Sequence, residues 1–202
     1  SAAVTFVGQL AAGGVVVSAC LDGSIAVCEW PGRKLRHTIH LDSAIARATL
    51  DPDAGLLAVA CDDLTVRVVD VHTRTTVRRF AAHGGRVTAL AFSHDSRWLL
   101  TGSLDGTIRV LDMPSGRMVD WWRCLAPPVT LAMSSDGSLL CSAHAGEPGL
   151  YLWTNRSQYD DVMLRAPPTE PSLMTLPTLA GDSVADSVHT GAPAEKRGQK
   201  RV

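Results

Sequence analysis

Three segments of the chain align without a gap at spacings of 41 and 42 residues, and this period restricts the fold more than any other feature of the sequence. They are "SACLDGSIAVCEW" (18–30), "VACDDLTVRVVDV" (59–71) and "TGSLDGTIRVLDM" (101–113), and they bring Asp22, Asp63 and Asp105 into register. A fourth copy, "CSAHAGEPGLYLWTN" (141–155), places Trp153 42 residues after Leu111 and spends Glu147 and Pro148 on a longer turn. A repeat of about 40–45 residues is the length of one four-stranded propeller blade.

Within each copy the apolar residues alternate as a half-buried strand requires. Ile108 and Val110 alternate with Thr107 and Arg109, and Val66 and Val68 alternate with Thr65 and Arg67. Upstream of the copies lie further strand-and-turn segments, "AIARATLDPDAG", "RVTALAFSHDSR" and "VTLAMSSDG", whose Asp, Ser and Gly residues supply turn geometry. Downstream lies a polar outer strand such as "TTVRRF" or "RMVDWW". Four strands and three turns per copy make the chain all-β.

The pattern resembles the WD40 repeat, most clearly in "AHGGRVTALAFSHDSRWLLTGSLDGTIRVLDMPSG" (82–116). That resemblance implies a buried hydrogen-bonded tetrad of His, Ser or Thr, Asp and Trp that ties each blade together. By position, His83, Thr101 (or its same-face neighbour Ser103) and Asp105 match it, while Leu111 stands where the Trp would be. Asp22 and Asp63 are the equivalent turn residues of the first two copies, where Cys28 and Val69 replace the Trp, and Trp153 keeps it in the fourth. A satisfied buried polar network rigidifies a fold without needing a substrate. The competing reading is a propeller hydrolase using His83 and Asp105. It would require an exposed nucleophile and an oxyanion hole, and the sequence offers neither a nucleophile elbow nor a Gly-rich loop.

The four copies divide residues 1–165 into expected WD40-type blades at about 2–41, 42–83, 84–125 and 126–165. Repeat units cannot bury their faces alone, and a WD-type ring of seven would lack about three of them. The expectation is therefore about four blades of a larger propeller, with a chain that aggregates when expressed alone. Residues 166–202 are rich in Pro, Ser, Thr and Gly without periodicity and read as a mostly disordered tail, in which "SLMTLP" is a candidate docking segment. The terminal "KRGQKR" has the composition of nuclear addresses and of solvated tails alike.

A closer similarity rests on "DMPSGRMVD", the Ala-Pro-Pro break at 126–128, "MSSDG" and above all "GLYLWTNRSQY". These segments are similar to the last two blades of the WD-repeat subunit of the UTP-B subcomplex, part of the small-subunit processome associated with the U three small nucleolar RNA. The similarity extends over about residues 1–180. It implies a tandem double propeller and a non-catalytic scaffold of the nucleus and nucleolus, supporting pre-rRNA processing in ribosome biogenesis. The implied partners are UTP-B proteins, with U three snoRNA and pre-rRNA reached directly or indirectly. The alternative is a WD40 scaffold of another assembly, such as a ubiquitin-ligase receptor or a trafficking coat.

Composition narrows the remaining classes. A net charge of −1 gives no global reason to bind nucleic acid or an anionic membrane, so any such contact needs a local patch. Arg33, Lys34, Arg36, Arg74, Arg78 and Arg79 supply one, since "GRKLRH" and "RTTVRR" fall in the outer strands expected of adjacent blades. Charged edge strands protect against sheet-to-sheet aggregation, and this reading competes with contact to RNA or an acidic partner. Trp121 and Trp122 point to opposite faces of their strand, one expected inward and the other exposed, either as a contact anchor or, the favoured reading, packed under a loop. Five cysteines without a CxxC pair and seven histidines without HxH or HExxH spacing argue against a metal site or cofactor and for a reducing compartment. No apolar run approaches the roughly 20 residues of a membrane span, and nothing in the sequence points to a small-molecule substrate.

Overall fold

A computed structural model describes residues 2–11, 13–81, 83–155 and 169–174, and every regular element among them is a β-strand. β1 (Val4–Gln9), β2 (Val15–Cys20), β3 (Ser24–Glu29) and β4 (Lys34–His40) form a first antiparallel sheet in chain order. β5 (Ile45–Asp51), β6 (Leu56–Cys61), β7 (Val66–Asp70) and β8 (Thr75–Phe80) form a second. β9 (Val87–Phe92), β10 (Trp98–Ser103), β11 (Thr107–Asp112) and β12 (Arg117–Cys124) form a third, and β13 (Pro128–Met133), β14 (Leu139–His144) and β15 (Leu150–Thr154) a fourth.

The sheets stack in sequence because each carries apolar residues on alternate positions. The first seam is filled by Val17, Ile25, Ile45, Leu57 and Val59, the second by Val66, Val68, Val87, Leu99 and Leu111, and the third by Leu100, Ile108, Leu131 and Leu140. A sheet with a neighbour on both faces needs strands apolar on both faces. Accordingly "LLAVAC" in β6 is buried over five consecutive residues, whereas β2 in the end sheet alternates between buried and half-buried. Glycine sets the distance at one seam. A Cβ on Gly102 would stand 2.9 Å from Cγ of Pro128, so the third and fourth sheets approach to backbone contact there.

Each inner strand is bulged at the same repeat position, at Thr5, Ala46, Thr88 and Val129, and the outer strands are bulged at Arg36, Val77 and Val119. A bulge increases twist and re-aims side chains, and here it turns Thr88 so that its hydroxyl donates across the seam to the carbonyl of Pro128 at 2.5 Å.

Residues 172–174, the first three of the docking candidate "SLMTLP" within the expected mostly disordered tail, form β16 (Ser172–Met174). It runs parallel to β12 and pairs Trp122 with Ser172 and Cys124 with Met174, making the third sheet five-stranded. Residues 166–168 and 175–202 of the expected tail, "KRGQKR" included, and residues 156–165 of the expected fourth blade lie outside the described residues.

Candidate functional site

The turn between the second and third strands of each of the first three sheets is built by an Asp-x-Ser/Thr triplet. The carboxylates of Asp22, Asp63 and Asp105 accept from the backbone N–H two residues on at 3.0, 3.0 and 2.9 Å, and from the Ser24, Thr65 or Thr107 hydroxyl at 2.6 Å each. This is an Asx turn closed twice by one carboxylate. Its repetition explains why an aspartate recurs at this spacing. Each turn is then tied, or not, to the loop entering its own sheet, and the chemistry differs from sheet to sheet.

In the third sheet the tie is His83, whose side chain has no solvent exposure. Nδ1–H faces Oδ2 of Asp105 at 3.3 Å and Oγ1 of Thr107 at 3.1 Å, and an ionised carboxylate can only accept, so this nitrogen is the donor. Nε2 lies 2.7 Å from the Thr101 hydroxyl. The structure thus selects Thr101 over Ser103, whose hydroxyl instead accepts from the Asp105 amide at 3.2 Å. Burial alone would raise the Asp105 carboxyl, but the hydrogen bonds from His83 and Thr107 outweigh it and hold the group well below the usual carboxylate range. A general base has to reach its substrate. The enclosed His83 ring does not, and the hydrolase reading loses its base.

The second sheet makes the same connection with an arginine. Asp42 stands 41 residues before His83, and Arg67 joins it to Asp63 by an ion pair to each, the Asp63 contact measuring 2.7 Å. Arg67 is only 6% exposed, and a buried guanidinium is tolerated when both faces of its fork are paired. Among the described residues the first sheet has neither arrangement, and Asp22 closes its own turn.

The fourth sheet uses a histidine that has changed element. By strand register Ser142 occupies the place of Thr101, His144 that of Ser103, and Trp153 that of Leu111. Trp153 Nε1–H donates to Ser142 Oγ at 2.8 Å, the Ser142 hydroxyl meets His144 Nε2 at 2.8 Å, and His144 Nδ1–H donates to the Ala126 carbonyl at 2.9 Å. The sequence reading found Trp153 but missed Ser142 and His144, and it missed Arg67. The available signal was the offset of 41 residues from Thr101 to Ser142 and from Ser103 to His144.

The basic rim is less continuous than its sequence suggests. Arg33 and Arg74 lie in turns rather than in outer strands, both at positive φ, 52° and 64°. The Arg33 guanidinium sits 5.8 Å above the Trp30 ring, and Arg36 pairs with Glu29 at 2.7 Å. Arg78 spans the second seam to donate to the carbonyls of Met113 and Pro114, each at 2.7 Å, and Arg79 leans 3.6 Å from Asp63. Lys34 remains exposed on β4. The two neighbouring tryptophans are both packed. Both are half-buried, Trp121 under the Arg109 guanidinium at 4.7 Å and Trp122 against Trp153 at 5.7 Å, so neither is a free anchor. Among the described residues no cluster of three His, Cys, Asp or Glu could hold a metal, and all five cysteines are unpaired. Burial pushes the Cys61 and Cys124 thiols up to about 11, leaving them poor nucleophiles.

Residues 2–177 match the family described as the WDR36/Utp21 second β-propeller domain. The chain is 35% identical over 178 residues to WD repeat-containing protein 36 of Homo sapiens, covering 87% of this chain and 20% of that protein. It is 37% identical over 152 residues to the U3 small nucleolar RNA-associated protein 21 homolog of Schizosaccharomyces pombe, covering 75% of this chain and 17% of that protein. To U3 small nucleolar RNA-associated protein 21 of Saccharomyces cerevisiae it is 32% identical over 185 residues, 91% of this chain and 20% of that protein. The chain therefore spans about one fifth of the length of these relatives.

Proposed function

The chain belongs to the WDR36/Utp21 family, within its second β-propeller domain, and from that premise we propose that it is a non-catalytic scaffold of the small-subunit processome, supporting pre-rRNA processing in the nucleolus. The observation that carries this reading is the family match, which runs unbroken through all four sheets to relatives whose names carry the U3 small nucleolar RNA. The geometry agrees with it. His83, Thr101, Ser103, Asp105, Asp63 and Trp153 are spent on ties within their own sheets, the role of a WD40-type tetrad, and Asp22 on its turn. We take the sheets to be blades of a ring, beginning near residues 2, 42, 84 and 126, with UTP-B proteins as partners and U3 snoRNA and pre-rRNA reached directly or through them.

Affinity purification of the protein expressed from its native gene, followed by mass spectrometry and probing for U3 RNA, tests the assignment. Recovery of processome subunits together with U3 RNA is the expected result. Recovery of a different assembly without that RNA would overturn it and leave only the propeller.

A further inference from the structure

The seam between the second and third sheets is closed at its outer edge by Arg78, which reaches from β8 to the carbonyls of Met113 and Pro114. Gly116 leaves it room, with φ at 68°. Strand register places His37 of the first sheet where Arg78 stands in the second, since His37 pairs with Val27 as Arg78 pairs with Val68, each beside its bulge. His37 is too short to close the first seam. Among the described residues neither of its buried ring nitrogens has a hydrogen-bond partner, and the residue lines a cavity of about 420 Å³. Leu10, Val15 and Val27 lie buried beneath it, and its open surface is mostly polar, with Lys34, Arg74 and His72 beside the Arg36–Glu29 ion pair. Among the described residues neither Lys34 nor Arg74 has an ion pair. Arg74 also stands where the next seam has Gly116, and it keeps a left-handed backbone at φ 64° that costs a non-glycine residue energy. Two cations without an ion pair at one cleft leave positive charge that an anion would balance.

We infer that this outer cleft between the first and second sheets docks an acidic segment of a partner protein, with a carboxylate of that segment held between Lys34 and Arg74 beside His37. The inference deepens the scaffold reading and rests on it, because it names the chemistry by which the scaffold holds a neighbour. A protein side chain fits better than an RNA backbone. Successive phosphates would need a row of free cations, and the adjacent Arg36, Arg78 and Arg79 are engaged with Glu29, two carbonyls and Asp63.

The test places the photo-crosslinker p-benzoylphenylalanine at Leu35, which lines the cleft and is 55% exposed, in the protein expressed from its native gene. After irradiation in cells the attachment site is mapped and U3 RNA is scored in the same sample. The expected product is a protein segment with Asp or Glu within about three residues of the attachment. Its yield should fall at least tenfold in Lys34→Glu/Arg74→Glu and in Arg74→Gly, which removes the cation while suiting the turn. It should return when the segment's acid is changed to Lys, and Arg79→Glu, outside the cleft, should leave it unchanged. A crosslink to RNA, to a segment without an acid, or one indifferent to charge reversal overturns the inference, as does no crosslink. Recovery of U3 RNA without the crosslink sinks the cleft and spares the scaffold; the crosslink without U3 RNA does the reverse.

Discussion

At the scale of single residues, the polar ties hold parts of one sheet to each other, and their value lies in what is left behind when one partner is removed. Thr101→Val deprives the enclosed His83 of its partner at Nε2, and a buried unsatisfied nitrogen costs about 1–3 kcal/mol. Trp153→Phe removes the N–H given to Ser142 and also part of the ring packed against Trp122, so a loss above the about 1 kcal/mol of the hydrogen bond alone is expected. Urea unfolding should show a lower midpoint for both variants, and an unchanged midpoint in either would show that its tie adds no stability. Asp105 adds a pH dependence. Its folded carboxyl titrates below the unfolded value of about 3.9, so its contribution is complete above that pH and disappears as acid protonates the folded form. The urea midpoint should fall between about pH 4 and pH 2, and Asp105→Asn should flatten that fall; an unchanged slope in the variant would show the carboxylate is not its source. Asp105 was legible from its recurrence at 41 and 42 residues, and His83 and Thr101 from the WD40 resemblance, because the second sheet has Asp42 and Val59 at their positions. Arg67 was illegible because a charged residue in an alternating strand reads as outward-facing, and His144 because its imidazole comes from a strand instead of a loop.

At the scale of elements, strand identity and order follow from alternation and turn chemistry, and the deviations from them have local causes. Bulges at Arg36, Val77 and Val119 break the alternation of the outer strands by one residue, a shift that no polar or apolar pattern in those segments announces. The short strand Ser172–Met174 pairs through backbone groups, with Ser172 and Leu173 exposed, so its side chains carry little signal of their pairing. Turns are more legible and also more testable. Gly23, Leu64 and Gly106 hold one repeat position at φ 85°, 63° and 77°, and only the middle one carries a side chain there. A left-handed conformation costs an L-residue about 1–2 kcal/mol, while glycine returns part of that as extra unfolded-state entropy. Leu64→Gly should therefore raise stability by about 0.5–1 kcal/mol, read as a higher urea midpoint at unchanged m-value. A lower midpoint would mean that the leucine's contacts outweigh its backbone strain.

At the scale of the molecule, stability resides in seams, because four stacked sheets enclose apolar residues only where two of them face each other. The third seam is tight at Gly102, where an added methyl would meet the rigid Pro128 ring at 2.9 and 3.2 Å. Gly102→Ala should cost about 1–3 kcal/mol by forcing the third and fourth sheets apart, measurable by thermal or urea unfolding. The two outward faces obey the opposite logic. Val7 is 62% exposed because its neighbour Phe6 takes the inner face, and Leu150 and Leu152 are 72% and 67% exposed because Trp153 and Tyr151 turn inward. Apolar side chains arrayed on a sheet face invite cover by another sheet. When this chain is expressed alone, that cover is another copy, so light scattering should show association that grows with concentration. Val7→Lys/Leu150→Lys/Leu152→Lys should shift the population toward monomer without lowering the unfolding midpoint, since none of these side chains belongs to a seam. Leu99→Lys, which places a charge inside the second seam, should abolish folding instead. Should the triple variant associate as strongly as the parent, the outward faces would not be the adhesive surfaces, and contact through an unpaired strand edge would take their place.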